Sequence, residues 1–184
     1  MDASLKRHPG LKPIARDHGV GLVFAERLSK SIRASRDDRA RLAEQMRTNC
    51  RDVILQYLED EESVLSRFIT NESMLEEFMG KHTAVRAVSD KLHKTDLGSQ
   101  PEMGLLARVS DALDDYIRWE ERVLFPALEE TLNDDQLEEL SKQTANIEAN
   151  RSRPTQQLHQ SIALEKQTDL TDACGCAITQ KLPE

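Results

Sequence analysis

The chain contains two tyrosines, and each stands four residues before a glutamate. Tyr57 precedes Glu61 in QYLEDEESVL, and Tyr116 precedes Glu120 in YIRWEERVLFP. On a helix, residues four apart project from one face, so each pair can reach a common point. A histidine stands upstream of each pair, His18 before the first and His82 before the second. The order His, then Tyr-x-x-x-Glu, therefore occurs twice, and the separation of the glutamates is close to that of the histidines. This is an internal two-helix repeat carried by polar positions. Each of the six residues falls on a stripe that is otherwise apolar. A buried carboxylate is costly unless it is paired, hydrogen-bonded or bound to a metal. Two glutamates, two histidines and two tyrosines meeting in one layer supply hard N and O donors, which suit iron or manganese.

The elements that must position these residues are helices. Glycine is scarce at 7 residues and aromatics make up 4% of the chain. Leucine, alanine and charged residues abound, as in all-α proteins. One stripe runs Ile14, His18, Leu22, Ala25, Leu28 and Ile32, interrupted by Gly19 and Gly21, which would admit a close neighbour. A second helix, starting near Ser35 or Asp37, carries Leu42, Met46, Cys50, Ile54, Tyr57, Glu61, Leu65 and Phe68. It stops near Thr70–Asn71, a good capping site for the next helix. The third carries Leu75, Phe78, His82, Val85, Ser89 and Leu92. LGSQPEMG reads as a break. The fourth carries Leu105, Val109, Leu113, Tyr116, Glu120 and Val123, with a bend expected at Pro126.

These features predict an all-α fold, an antiparallel up-down four-helix bundle. The expected organisation is a bundle over residues 1–130, a short additional helix over 131–150 and a tail over 151–184. The net charge of -8 argues against general nucleic-acid binding. No run of about 18 apolar residues predicts a membrane span. Three cysteines, an odd count without framework spacing, point to a reducing compartment and a cytoplasmic location.

Residue by residue, the sequence resembles the hemerythrin-like (HHE cation-binding) family, over roughly residues 5–130. HPGLKPIARDHGVGL resembles the family's opening segment, with His18 at a ligand position. EEFMGKHTAVRAV resembles the third-helix segment with His82, and YIRWEERVLFP the fourth-helix segment with Glu120. YLEDEESVL matches the second-helix segment with Glu61. The resemblance implies a four-helix bundle holding two iron ions, with manganese as the alternative metal. It also implies roles in oxygen binding or sensing, iron handling, or response to peroxide and nitric oxide.

Tyr57 and Tyr116 occupy positions where the family has histidine. Either they are metal ligands, or they are core residues whose hydroxyls are hydrogen-bonded. As phenolates they would favour the ferric state, which moves the expectation from oxygen carriage towards redox, peroxide or nitric oxide sensing. A di-iron oxidase or peroxidase, and a metal-free helical interaction module, are the alternatives. Glu62 and Glu121 read as solvated edges beside the inward glutamates. His8 is an accessory candidate near the site, while His93 and His159 read as surface residues. Cys174 and Cys176 form a Cys-x-Cys pair that reads as exposed thiols in a tail, and Cys50 as a small core residue.

Overall fold

A computed structural model describes residues 7–31, 33, 35–49, 53–95 and 100–151, all within one compact unit, Met1–Arg151. The fold among these residues is all-helical. A 3-10 turn, Pro9–Leu11, leads into α1 (Lys12–Ser31). Next come α2 (Arg36–Asn49), α3 (Leu55–Leu65), α4 (Glu72–Lys94) and α5 (Gln100–Trp119). A π-helical turn, Glu120–Leu124, joins α5 to α6 (Phe125–Thr131), and α7 (Asp134–Ala149) closes the series.

The helix boundaries follow local chemistry. Asn71 caps α4 by accepting from the Met74 amide at 3.0 Å, and the last turn of α4 carries Lys91, His93 and Lys94 beside the exposed carbonyls. Asn133 and Gln136 form a reciprocal capping box at the start of α7. The expected second helix appears as α2 and α3. Residues 50–52, including Cys50, lie outside the described residues, as do Ile32, His159, Cys174 and Cys176. The expected break at LGSQPEMG is shorter than its composition suggests, because Gln100–Gly104 already belong to α5.

Packing is led by α5, which lies against both α1 and α4, while α3 contacts α1, α4 and α7. Gly21 permits the α1–α5 approach: a Cβ there would sit 2.6 Å from the Ile117 side chain. The Ser110 hydroxyl ties the same pair by donating to the Ala25 carbonyl at 2.8 Å. An apolar cluster that includes Leu11, Leu65, Phe78, Leu124, Phe125 and Leu140 is fully enclosed and joins residues of α3, α4, the π turn, α6 and α7. No helix among the described residues is long and apolar enough to cross a membrane.

Not every expected core position is buried. Val123 is 43% exposed, and Leu124 and Phe125 are buried in its place. The cause is the π turn, in which the Phe125 amide donates to the Glu120 carbonyl, five residues back. A wider turn inserts one residue into the helical phase, so the apolar stripe resumes one position later. Pro126 lies just beyond it. Proline cannot donate to the carbonyl four residues earlier, and the chain continues as helix through Thr131. In α2, Ala43 is buried and Leu42 half-buried.

The additional helix is an integral wall. The Thr144 hydroxyl of α7 donates to the Gly10 carbonyl at 2.9 Å. A Cβ on Gly10 would meet the Ser141 hydroxyl at 2.7 Å and its backbone nitrogen at 3.0 Å, so only glycine fits this contact.

Candidate metal centre

All six candidates from the two His, Tyr-x-x-x-Glu repeats are buried: His18, Tyr57, Glu61, His82, Tyr116 and Glu120. His18 comes from α1, Tyr57 and Glu61 from α3, His82 from α4, Tyr116 from α5 and Glu120 from the first position of the π turn. The amphipathic phase of each helix turns one polar group, or one pair, into the interior.

His18, Glu61 and Glu120 each place one donor atom within 4.8 Å of the others. Nε2 of His18 lies 2.9 Å from Oε2 of Glu120 and 3.5 Å from Oε1 of Glu61. On the other side, Nε2 of His82 lies 3.4 Å from Oε1 of Glu120 and 3.4 Å from Oε2 of Glu61. Each imidazole therefore faces one oxygen of each carboxylate. Both histidines bond to Glu120, whereas neither oxygen of Glu61 has a hydrogen-bond partner. Burial, then the neighbouring Glu120 charge, push the Glu61 carboxyl up to about 7. An enclosed carboxylate without a hydrogen bond is unusual in a folded protein and calls for a compensating charge.

The two glutamates read from sequence as solvated edges belong to the site. Nδ1 of His82 lies 2.9 Å from Glu62, and Arg86 grips Glu62 with Nη1 at 2.5 Å and Nη2 at 3.0 Å. Nδ1 of His18 lies 2.8 Å from Glu121, which Arg7 holds through Nη2 at 3.0 Å and through the Glu121 carbonyl. Each histidine is thus clamped through Nδ1 by a carboxylate that an arginine fixes. This leaves Nε2 aimed at the centre, the orientation in which a histidine binds a metal. The legible signal was the doublet Glu-Glu at both places. Arg86, one turn after His82, was a second signal, whereas Arg7 is remote in sequence from Glu121.

Aromatic rings complete the wall. His18 stacks on Phe125 at 5.2 Å, and the Arg7 guanidinium lies 5.4 Å from the centre of the same ring. Tyr116 meets both imidazoles edge-on, at 6.1 Å from His18 and 5.6 Å from His82. Tyr57 lies under Arg151, with 5.5 Å between the guanidinium carbon and the ring centre. Burial, followed by nearby carboxylates, raises both phenols well above the ordinary range, so both are neutral in the metal-free protein.

His8 does not join the centre. Its Nδ1 accepts from the Gly10 amide at 3.2 Å and caps the 3-10 turn. His93 is exposed, as expected. A surface cleft of about 830 Å³ between α1, α4 and α5 includes Trp119 and Val123 in its lining but none of the six candidates, so it is not the mouth of this site.

With both ring nitrogens of His18 and of His82 facing carboxylates, the metal-free state keeps protons on Nε2, where a cation would otherwise sit. Two imidazoles and two carboxylates meet here, one carboxylate lacking any hydrogen bond, and these N and O donors fit a hard metal ion such as iron or manganese. No family model, no curated protein and no solved structure matches this chain.

Proposed function

We propose that this chain is a non-haem dinuclear metal protein of hemerythrin-like type, most suited to two iron ions, with manganese as the alternative. In this reading α1, α2 with α3, α4, and α5 with α6 form an antiparallel up-down four-helix bundle. His18 and His82 would be terminal ligands, Glu61 and Glu120 would bridge or chelate, and Tyr57 and Tyr116 would take the remaining ligand positions. The observation that carries it is Glu61, a fully enclosed carboxylate with no hydrogen bond, set between two imidazole nitrogens. A bound iron pair would supply one-electron redox chemistry and an open position for a small ligand. The enclosure of all six candidates suits a diatomic or a peroxide rather than a bulky substrate. Sensing of redox state, peroxide or nitric oxide, or iron handling, fits the tyrosines better than oxygen transport. A cytoplasmic location belongs to the same reading.

Metal analysis by mass spectrometry tests it, on protein produced with ample iron and manganese. Close to two ions per chain is the expected result. Protein that stays metal-free under these conditions would instead be a helical module with an inert polar core.

The clamps predict a graded loss. Glu62→Gln or Glu121→Gln is expected to weaken metal binding by about 10–100-fold, because each removes the negative charge that an arginine holds against a histidine Nδ1. Titration with manganese(II) under a competing chelator measures it, and unchanged affinity in both variants would remove the clamps from the mechanism.

The tyrosines carry a spectral prediction. A phenolate on ferric iron gives a broad visible charge-transfer band. Replacing Tyr57 and Tyr116 together with phenylalanine nearly conserves volume and is expected to cost less than about 1.5 kcal/mol of stability. The iron-loaded double variant is expected to lose the band and to hold iron less tightly. A spectrum and iron content identical to those of the parent protein would make both residues core.

A further inference from the structure

Arg151 follows α7 and is held against α1 and α3 by two independent contacts. Its guanidinium forms a two-point pair with the Asp17 carboxylate, Nη1 to Oδ1 and Nη2 to Oδ2. The two side chains are only 7% and 5% exposed. The same guanidinium lies 5.5 Å from the centre of the Tyr57 ring. Asp17 immediately precedes His18 on α1, and Tyr57 stands one turn before Glu61 on α3. One cation therefore bridges the two helices that contribute His18 and Glu61. The geometry is specific to arginine: a planar fork matches a carboxylate at two points while its face covers an aromatic ring. A lysine has one compact charge and cannot do both.

The rest of α7 holds the guanidinium at this place. The capping box anchors the helix at Asn133, Thr144 bonds to Gly10 near its middle, and Arg151 clasps Asp17 beyond its end. The repeat breaks here. The clamps Arg86–Glu62–His82 and Arg7–Glu121–His18 are alike, but Tyr57 lies under a cation while Tyr116 stands edge-on to two imidazoles.

We propose that Arg151 is a positioning residue of the metal centre, fixing the Tyr57 ring and shutting the α1–α3 side of the site, and so making its two halves unequal. The inference rests on the dinuclear reading for the metal, but its placement of Tyr57 is testable without any metal. Arg151→Met combined with Asp17→Asn removes the clasp without stranding a buried carboxylate. In the metal-free double variant, Tyr57 is expected to react with tetranitromethane at least about tenfold faster than in the parent, as local opening would allow, while Tyr116 does not change. Peptide mapping by mass spectrometry separates the two tyrosines. Arg151→Lys alone, a milder change, is expected to give an intermediate rate and serves if the double variant fails to fold. After loading with iron, the clasp variants are expected to shift the visible band, whereas Lys142→Met on the exposed face of α7 leaves it in place.

Tyr57 reactivity equal to that of the parent in folded clasp variants overturns the proposal. So does faster reaction of both tyrosines together, which marks general loosening. If the parent protein takes up no metal, the dinuclear reading fails, and the nitration rates still decide whether Arg151 holds Tyr57.

Discussion

Loading with manganese(II) or iron is expected to raise the melting temperature, and the rise is expected to grow between about pH 6 and about pH 8. The reason lies in the protons that occupy the centre without metal. Burial opposes a charge on His18, but its hydrogen bonds to Glu120 and Glu121 and the nearby Glu61 carboxylate outweigh this and hold it well above the ordinary range. For His82, burial is likewise outweighed by Glu120, Glu61 and Glu62. A base whose pKa is raised by folding contributes stability that is fully present below its unfolded pKa. That stability is lost as pH rises through the folded value.

Glu61 acts in the same direction. Its carboxyl is pushed from 4.5 to about 7, so folding increasingly opposes its ionisation as pH rises across that window. The acid limit is set by Glu120, Glu121 and Glu62. Burial would raise them, but histidine and arginine partners hold them below the ordinary range. Their contribution is lost as pH falls through those lowered values. The metal-free protein should therefore be most stable on the mildly acid side of neutrality.

A bound ion would reverse the alkaline limb. The histidines that hold it would give up a proton, so binding would strengthen by about 1.4 kcal/mol per pH unit for each proton displaced. With free metal at 100 to 1,000 times its dissociation constant, the folded state gains about 3–4 kcal/mol. For a unit of this size that is roughly 10 °C. Melting curves by circular dichroism, with and without metal at the two pH values, measure it. A gap that is the same at both would show that no proton is exchanged for metal at the histidines.

The second large effect is a difference of sign between two glutamates that look equivalent in the sequence. Glu61→Met is expected to stabilise the metal-free protein at pH 8 by about 1–3 kcal/mol, the cost of keeping a buried carboxylate without a hydrogen bond. Methionine is close in length and flexible enough to fill the space. Glu120→Met is expected to destabilise the same protein by about 3–5 kcal/mol, because it strips the carboxylate to which both buried histidines bond. Both variants should lose tight metal binding. Urea unfolding of the metal-free proteins gives the comparison directly. Equal losses of stability would mean that Glu61 is a satisfied core residue, which would also remove the main support for a metal.

The all-helical fold and the inward placement of all six candidates were legible in the sequence. A 3.6-residue period places His18, His82 and the two Tyr-Glu pairs on the same stripes as leucine and valine, and all six are buried as that period predicts. Val123 marks where regularity ends. A π turn is a change of hydrogen-bond partner within an unbroken helix, so the residue pattern up to Glu120 contains no sign of the slipped phase that exposes Val123 and buries Leu124.

Only the tertiary structure decided the fate of Glu62 and Glu121. The residue after an inward glutamate lies at the edge of the buried stripe. It becomes solvated or captured according to what the neighbouring helices bring to that edge. Glu62 meets Arg86 from α4, and Glu121 meets Arg7 from before α1. The same holds for α7, whose amphipathic pattern predicts a buried face without naming what it covers. Its docking against α1 and α3, and the reach of Arg151 to Asp17 and Tyr57, join residues far apart in the chain. Helical period is a local property, set by backbone geometry and readable from consecutive residues. The partner of a charged group at a helix edge is set by which surfaces pack together, and that depends on the burial of the whole apolar core.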